Sequence, residues 1–283
     1  MTERHGIKPV EELTFADDFM FCTLMRDPGV CAGVIERLLG IKAGRIEYVE
    51  VQEVLRPAYE ARGVRFDVYA RDSDRVFDIE MQRREHADLP QRARYYQSIL
   101  DTDLLLRGMP YSALPESMII FICLGDPFGK GLPRYTFRSA CDEETGLVLG
   151  DKTTKVFYNA KAYGRSRDKG LRALLRLLCE NRADDGFTTD LLGRVRETIR
   201  SEMFRGEYLR MTLHDYDIRQ EGLLEGRLEG RLAGLAEGAS SARQEAARNF
   251  SRNGVAEDII ASSLGMTVDE VRKAAASPAT DRE

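Results

Sequence analysis

Asp67, Asp78, Glu80 and Gln82 fall within residues 65–82, in two runs that alternate polar with apolar side chains. Val64, Phe66, Val68 and Ala70 alternate with Arg65, Asp67 and Tyr69, and the same period of two runs from Val76 to Gln82 through Phe77, Ile79 and Met81. A period of two predicts two strands, each with one apolar and one polar face. The link from Arg71 to Arg75 is rich in turn formers. A two-residue loop at Ser73 and Asp74 pairs residues whose numbers sum to 147 and sets Asp67 opposite Glu80. Asp78, Glu80 and Gln82 then share a face with Asp67 and Tyr69, while Phe66, Val68, Ile79 and Met81 turn to the core. Facing carboxylates repel unless something positive lies between them. Three carboxylates and an amide suit a hard divalent cation, Mg²⁺ or Mn²⁺, which would activate water or polarise a phosphate. The same alternation also describes the solvated face of an edge hairpin, and a bulge would move Glu80 off Asp67.

The elements that must carry these residues are legible around them. Helical spacing over 15–39 predicts two helices broken at Asp27, Pro28 and Gly29 and ended by Gly40. Asp18 on the first of these either approaches the cation or is a solvated helix-start carboxylate. A helix over 90–106 follows the hairpin and is closed by Gly108 and Pro110. The continuous apolar run 118–124 predicts a strand covered on both faces, in the middle of a mixed sheet. Shorter strands are expected at 135–137 and 155–159, with a turn-rich loop at 125–131 that lacks the Gly-Lys-Ser/Thr ending of a P-loop.

Beyond Arg167 the spacing is helical, over 171–179 and 191–211. Glycine then recurs at 222, 226, 230, 234 and 238 in a tetrad repeat rich in Glu, Leu and Arg. A four-residue period drifts about 40° per repeat on an α-helix, so the glycines form a winding stripe. Each costs about 1 kcal/mol of helix propensity, which suggests a purpose such as self-association or docking onto the rest of the chain; a flexible linker is the alternative. Three short helices are expected over 241–276, the last behind a capping box at Thr267 and Glu270. With only Arg272 and Lys273 as basic residues there, a small protein-contact module fits better than a DNA recognition helix.

Asp67 followed thirteen residues later by Glu-x-Gln resembles the D…(D/E)-x-K core of PD-(D/E)XK nucleases. The Glu-x-Gln form is that of the Rpn-type recombination-promoting nuclease and transposase family. Segments 13–21, 63–69, 92–98, 114–123 and 126–131 resemble that family in the same order, over roughly residues 10 to 240. The resemblance implies an α/β fold: a restriction-endonuclease-like core with a mixed central sheet flanked by helices (1–167), then a helical segment packed on it (168–220). The repeat helix (221–240) and a small helical tail (241–283) complete the chain as a helical C-terminal extension. It implies a metal-dependent DNA endonuclease linked to recombination or mobile elements, with Asp67 and Glu80 on Mg²⁺ or Mn²⁺, Asp18 as a further metal candidate, and Gln82 in the place of the motif lysine. An ammonium orients water and stabilises developing phosphorane charge, whereas a neutral amide only donates and accepts hydrogen bonds. A slow or inactive DNA-binding relic, or a protein-interaction factor using the repeat helix as a homo-oligomer contact, are the alternatives.

The formal charge of −5 does not oppose a DNA partner, because a local basic face is what binds phosphate. Arg83 and Arg84 follow the hairpin and Arg92 and Arg94 open the next helix, so with Arg65 they set positive charge beside the acids. In the family this helix packs over the site, which adds Arg94 and Gln97 to the candidate DNA contacts. The five cysteines are scattered, without C-x-x-C spacing, and read as reduced thiols. His5, His86 and His214 are not at ligand spacing, which argues against a histidine zinc site or a Ser-His-Asp triad. No apolar run reaches the roughly 18 to 20 residues of a membrane span and no secretory leader is evident, so a cytoplasmic protein is expected.

Overall fold

In the computed structural model the two alternating runs are neighbouring strands of a six-stranded sheet. The structure describes residues 8–55, 64–84 and 86–276; His5, Gly63 and the outer ends of the first and last expected domains lie outside them. The chain divides into two compact units, Met1–Arg210 and Met211–Glu283.

The first unit begins with α1 (Asp18–Met25) and α2 (Pro28–Leu39), broken where expected. The Asp27 carboxylate accepts from the backbone of Gly29 and Val30, Pro28 fits the first helical turn, and Gly40 ends α2 at φ +70°. Strands β1 (Tyr48–Leu55), β2 (Val64–Arg71) and β3 (Arg75–Gln82) follow, then α3 (Leu89–Leu104), β4 (Glu116–Cys123), β5 (Arg134–Phe137) and β6 (Thr153–Asn159). Helices α4 (Lys169–Glu180) and α5 (Gly186–Arg200) and the start of α6 (Glu202–Arg252) complete the unit.

The strand order is β1-β2-β3-β4-β6-β5. Pairs β3–β4 and β4–β6 are parallel and the rest antiparallel, a mixed sheet in which α3 forms the crossover from β3 to β4. One face is covered by α1, α2, α4, α5 and the first turns of α6. The other is covered by α3 through Leu89, Ala93, Ile99 and Leu100. This is the expected α/β architecture with a helical C-terminal part.

The hairpin takes the register read from its turn: Val68 pairs with Ile79, Tyr69 with Asp78, Ala70 with Phe77 and Arg71 with Val76. Asp72 N–H closes the two-residue loop onto the Arg75 carbonyl at 3.0 Å. The hairpin is not an edge, however. β3 lies between β2 and β4 and is buried from Val76 to Gln82, so its polar face looks into the α3 layer and not into water.

Three expectations are corrected. Phe66 packs on the α3 side with Tyr96 and Phe121, on the opposite face from Val68 and Ile79, because the alternation breaks at Asp67. The helix expected over 191–211 is two helices, parted at Ser201, whose backbone is extended and whose hydroxyl accepts from Phe204 N–H. The repeat and the first tail helix are one element, α6, since the Glu, Leu, Arg and Ala between the glycines are strong helix formers.

In the second unit, α7 (Glu257–Leu264) and α8 (Val268–Ala276) close with Ala247 of α6 around Ile260, Ala261, Val271 and Ala274. Thr267 and Glu270 form the expected reciprocal cap, the Thr267 N–H donating to Glu270 at 2.7 Å. Cys22, Cys31, Cys123, Cys141 and Cys179 are free thiols. Among the described residues no helix is long and apolar enough to cross a membrane.

Candidate active site

At the end of β3 the two hairpin strands stop exchanging ladder bonds and their acids take over. Asp67 N–H donates to Glu80 Oε1 at 2.9 Å, and Met81 N–H donates to Asp67 Oδ2 at 3.0 Å. Each carboxylate therefore satisfies a backbone donor on the other strand, which fixes both side chains and splays the pair. The Cys22 thiol backs the arrangement by donating to the Asp67 carbonyl at 3.4 Å.

Burial at this point has an electrostatic consequence. Loss of solvation pushes the Asp67 carboxyl up to about 6, with Asp18 adding to the effect against the Met81 N–H, Arg65 and Arg92. Glu80 is pushed up to about 8, by burial first and the Asp67 charge second. Asp78 is fully buried on the same strand face, and among the described residues no backbone N–H or cationic side chain donates to its carboxylate. Burial, then the Glu80 and Asp67 charges, hold its carboxyl well above the usual range.

Asp67 and Glu80 open onto a cleft of about 790 Å³ bounded by α1, β2, β3 and α3. Asp18, Arg65, Asp67, Glu80, Gln82, Arg83, Arg84 and Arg92 all line it, so eight of the eleven residues singled out from sequence converge, and Asp78 stays buried out of the cleft. Burial raises the Asp18 carboxyl, opposed by Arg83 and Arg65. Arg94 and Gln97 stand apart. Arg94 is exposed on α3 outside the cleft. Gln97 is buried, its amide donating to Ser117 Oγ at 2.7 Å and Asp101 Oδ1 at 2.9 Å, a contact that ties α3 to β4.

The cleft also holds residues that spacing did not flag. Lys8, His86 and Tyr96 line it. Behind it, Asp17 is 3% exposed and gathers Lys8 Nζ at 2.6 Å, Thr14 N–H at 2.7 Å and the Arg83 guanidinium. Burial works against its charge, but the Lys8 and Thr14 hydrogen bonds and Arg83 outweigh it and the carboxyl stays below its ordinary value. Arg92, from the first turns of α3, donates to Gln82 Oε1 at 3.0 Å and to the Tyr96 hydroxyl at 2.9 Å, and lies 3.7 Å from Glu80 Oε2. The Asp-Asp pair at 17 and 18 was a visible signal for Asp17; nothing in the spacing pointed to Lys8.

Among the described residues no three His, Cys, Asp or Glu side chains gather as a finished metal site. Two carboxylates do gather, and their mutual repulsion in a buried setting is what a hard cation relieves. A two-carboxylate seat fits Mg²⁺, which keeps several waters and takes further oxygens from substrate phosphate.

The family model of the PD-(D/E)XK nuclease family transposases matches residues 18–169, more than half of the 283-residue chain. The matched span holds every residue of the cleft named above except Lys8. No curated protein and no solved structure matches the chain.

Proposed function

Because the chain belongs to the PD-(D/E)XK nuclease family transposases, we propose that its cleft hydrolyses phosphodiester bonds in DNA with Mg²⁺ as cofactor, Mn²⁺ serving in its place. The observation that carries this reading is the Asp67–Glu80 pair, a half-buried and a buried carboxylate on adjacent strands in a basic-rimmed cleft. Asp67 and Glu80 would hold the cation, with Asp18, which lines the same cleft, as a further candidate ligand. A bound divalent cation supplies Lewis acidity toward the scissile phosphate and lowers the pKa of water.

The remaining roles belong to the chain. Gln82 donates to the attacking water or to a phosphate oxygen. Arg65, Arg83, Arg84 and Lys8 neutralise and position the DNA backbone around the acids. Contacts to phosphate position the duplex without reading its sequence, which fits cutting directed by DNA structure or by a partner in recombination or mobile-element movement. A cytoplasmic location belongs to the same reading. A contact between copies through residues 221–240 belongs to the same reading, as an assembly that brings two clefts to one DNA.

The test is nicking of supercoiled plasmid by purified protein with Mg²⁺, Mn²⁺ or EDTA, beside Asp67→Ala and Glu80→Ala. Metal-dependent nicking lost in both variants is expected; equal nicking by wild type and variants overturns the assignment.

A further inference from the structure

Resting on that hydrolytic reading, we infer that Arg92 supplies, through Gln82, the positive charge that the lysine of a D…(D/E)-x-K site carries. One guanidinium touches both motif residues: Nη1 donates to Gln82 Oε1 at 3.0 Å and Nη2 lies 3.7 Å from Glu80 Oε2. Among the described residues no other cation is within ion-pair or hydrogen-bond reach of either side chain. Lys8 and Arg83, also at the cleft, are taken by Asp17.

The guanidinium is fixed in place. Nη2 donates to the Tyr96 hydroxyl at 2.9 Å, and its carbon lies 5.4 Å from the Tyr96 ring centre and 5.6 Å from that of Phe121. An arginine held this way is charged at every working pH.

The contact also decides what Gln82 can do. With its carbonyl end taken by Arg92, Gln82 offers the cleft its N–H end, the polarity a lysine would offer. A hydrogen bond from a cation to the amide oxygen polarises the amide and strengthens its N–H as a donor. Arg92 is therefore a positioning residue that works through Gln82 and places a fixed charge beside the reacting phosphate.

This role has a signature that packing lacks. A cation beside Glu80 repels a divalent ion in the ground state and favours the negative charge that grows on phosphate in the transition state. Removing it should tighten metal binding while slowing cleavage.

The experiment uses full-length protein, with Ca²⁺ binding by calorimetry and Mg²⁺-dependent plasmid nicking, for wild type, Asp67→Ala, Arg92→Gln, Arg92→Lys and Gln82→Lys/Arg92→Gln. Arg92→Gln is expected to lower the Ca²⁺ Kd by about tenfold and to slow nicking by about 100-fold. Arg92→Lys should keep nicking within about tenfold of wild type, and the double variant should recover at least about tenfold over Arg92→Gln, because it moves the charge onto the motif position. Nicking by Arg92→Gln at the wild-type rate, or loss of Ca²⁺ affinity and nicking together, overturns the inference and leaves the hydrolytic reading standing. Wild type that nicks no faster than Asp67→Ala defeats the hydrolytic reading itself, and the inference with it.

Discussion

Glu80 accepts the backbone N–H of Asp67 at 2.9 Å, so the two acids of the cleft are joined through the main chain as well as by their shared repulsion. Glu80→Gln separates these ties, since the amide oxygen still accepts from Asp67 while the charge is gone. The variant should be more stable than wild type without metal, by about 1 kcal/mol in urea denaturation, as a buried like charge is removed. Its Mg²⁺-dependent nicking should fall by about 1,000-fold. A variant both less stable and fully active would contradict the role of Glu80.

The same repulsion predicts how stability follows pH. The ordinary carboxyl values are 3.8 for Asp67 and 4.5 for Glu80, against about 6 and about 8 in the fold. An acid raised in the folded state contributes fully below its unfolded value and loses that contribution as pH rises through its folded value. The thermal midpoint in EDTA should therefore decline from about pH 4 to about pH 8. Mg²⁺ binds the ionised pair, so the gain in midpoint on adding it should be larger at pH 8 than at pH 5. A midpoint in EDTA that is flat or rises across this range would contradict the shared burial.

Much of this site was legible from local pattern, and the rest depended on distant contacts. A two-residue loop leaves one register open, so the pairing of Val68 with Ile79 and the approach of Asp67 to Glu80 could be read from the turn at Ser73 and Asp74. Burial of the acids could not, because it comes from β4 packing along β3, a parallel pairing reached only across α3. The break in alternation at Asp67 arises from side chains replacing ladder bonds, which a period of two does not anticipate. Lys8 reaches the cleft through a carboxylate nine residues away, with no periodic signal to mark it.

Asp17 offers a test of how the cleft rim is held. Asp17→Asn keeps the shape but removes the charge that gathers Lys8 and Arg83, whose side chains are 31% and 44% exposed. Partial screening limits the loss to about 2 kcal/mol in denaturant unfolding, below that of a fully buried pair. DNA affinity measured in Ca²⁺ should weaken, and the slope of log affinity against log salt should become shallower by about 1, as two cations lose their fixed places. An unchanged slope would remove Lys8 and Arg83 from the phosphate contacts.

The repeat in α6 makes a prediction about assembly. Leu224, Leu228, Leu232 and Leu235 are all exposed, and on an α-helix they fall within about 80° of arc. Arg227 and Arg231 flank this row on one side and Glu225 and Glu229 on the other, while Gly226 and Gly230 lie across the helix from it and the glycine stripe winds round to the Arg flank at Gly238. In a parallel two-fold pair joined along the leucines, the Arg flank of each helix meets the Glu flank of the other; an antiparallel pair sets like against like. Among the described residues, nothing beyond the local helix itself comes within 4 Å of a Cβ built on Gly222, Gly226, Gly230, Gly234 or Gly238. Light scattering should thus give a dimer mass for wild type and a monomer mass for Leu228→Glu/Leu232→Glu. Gly226→Ala/Gly230→Ala should keep the dimer and add about 1 kcal/mol of helix stability per site. A dimer that survives the leucine changes, or dissociates with the alanines, would place the contact on the glycine side instead.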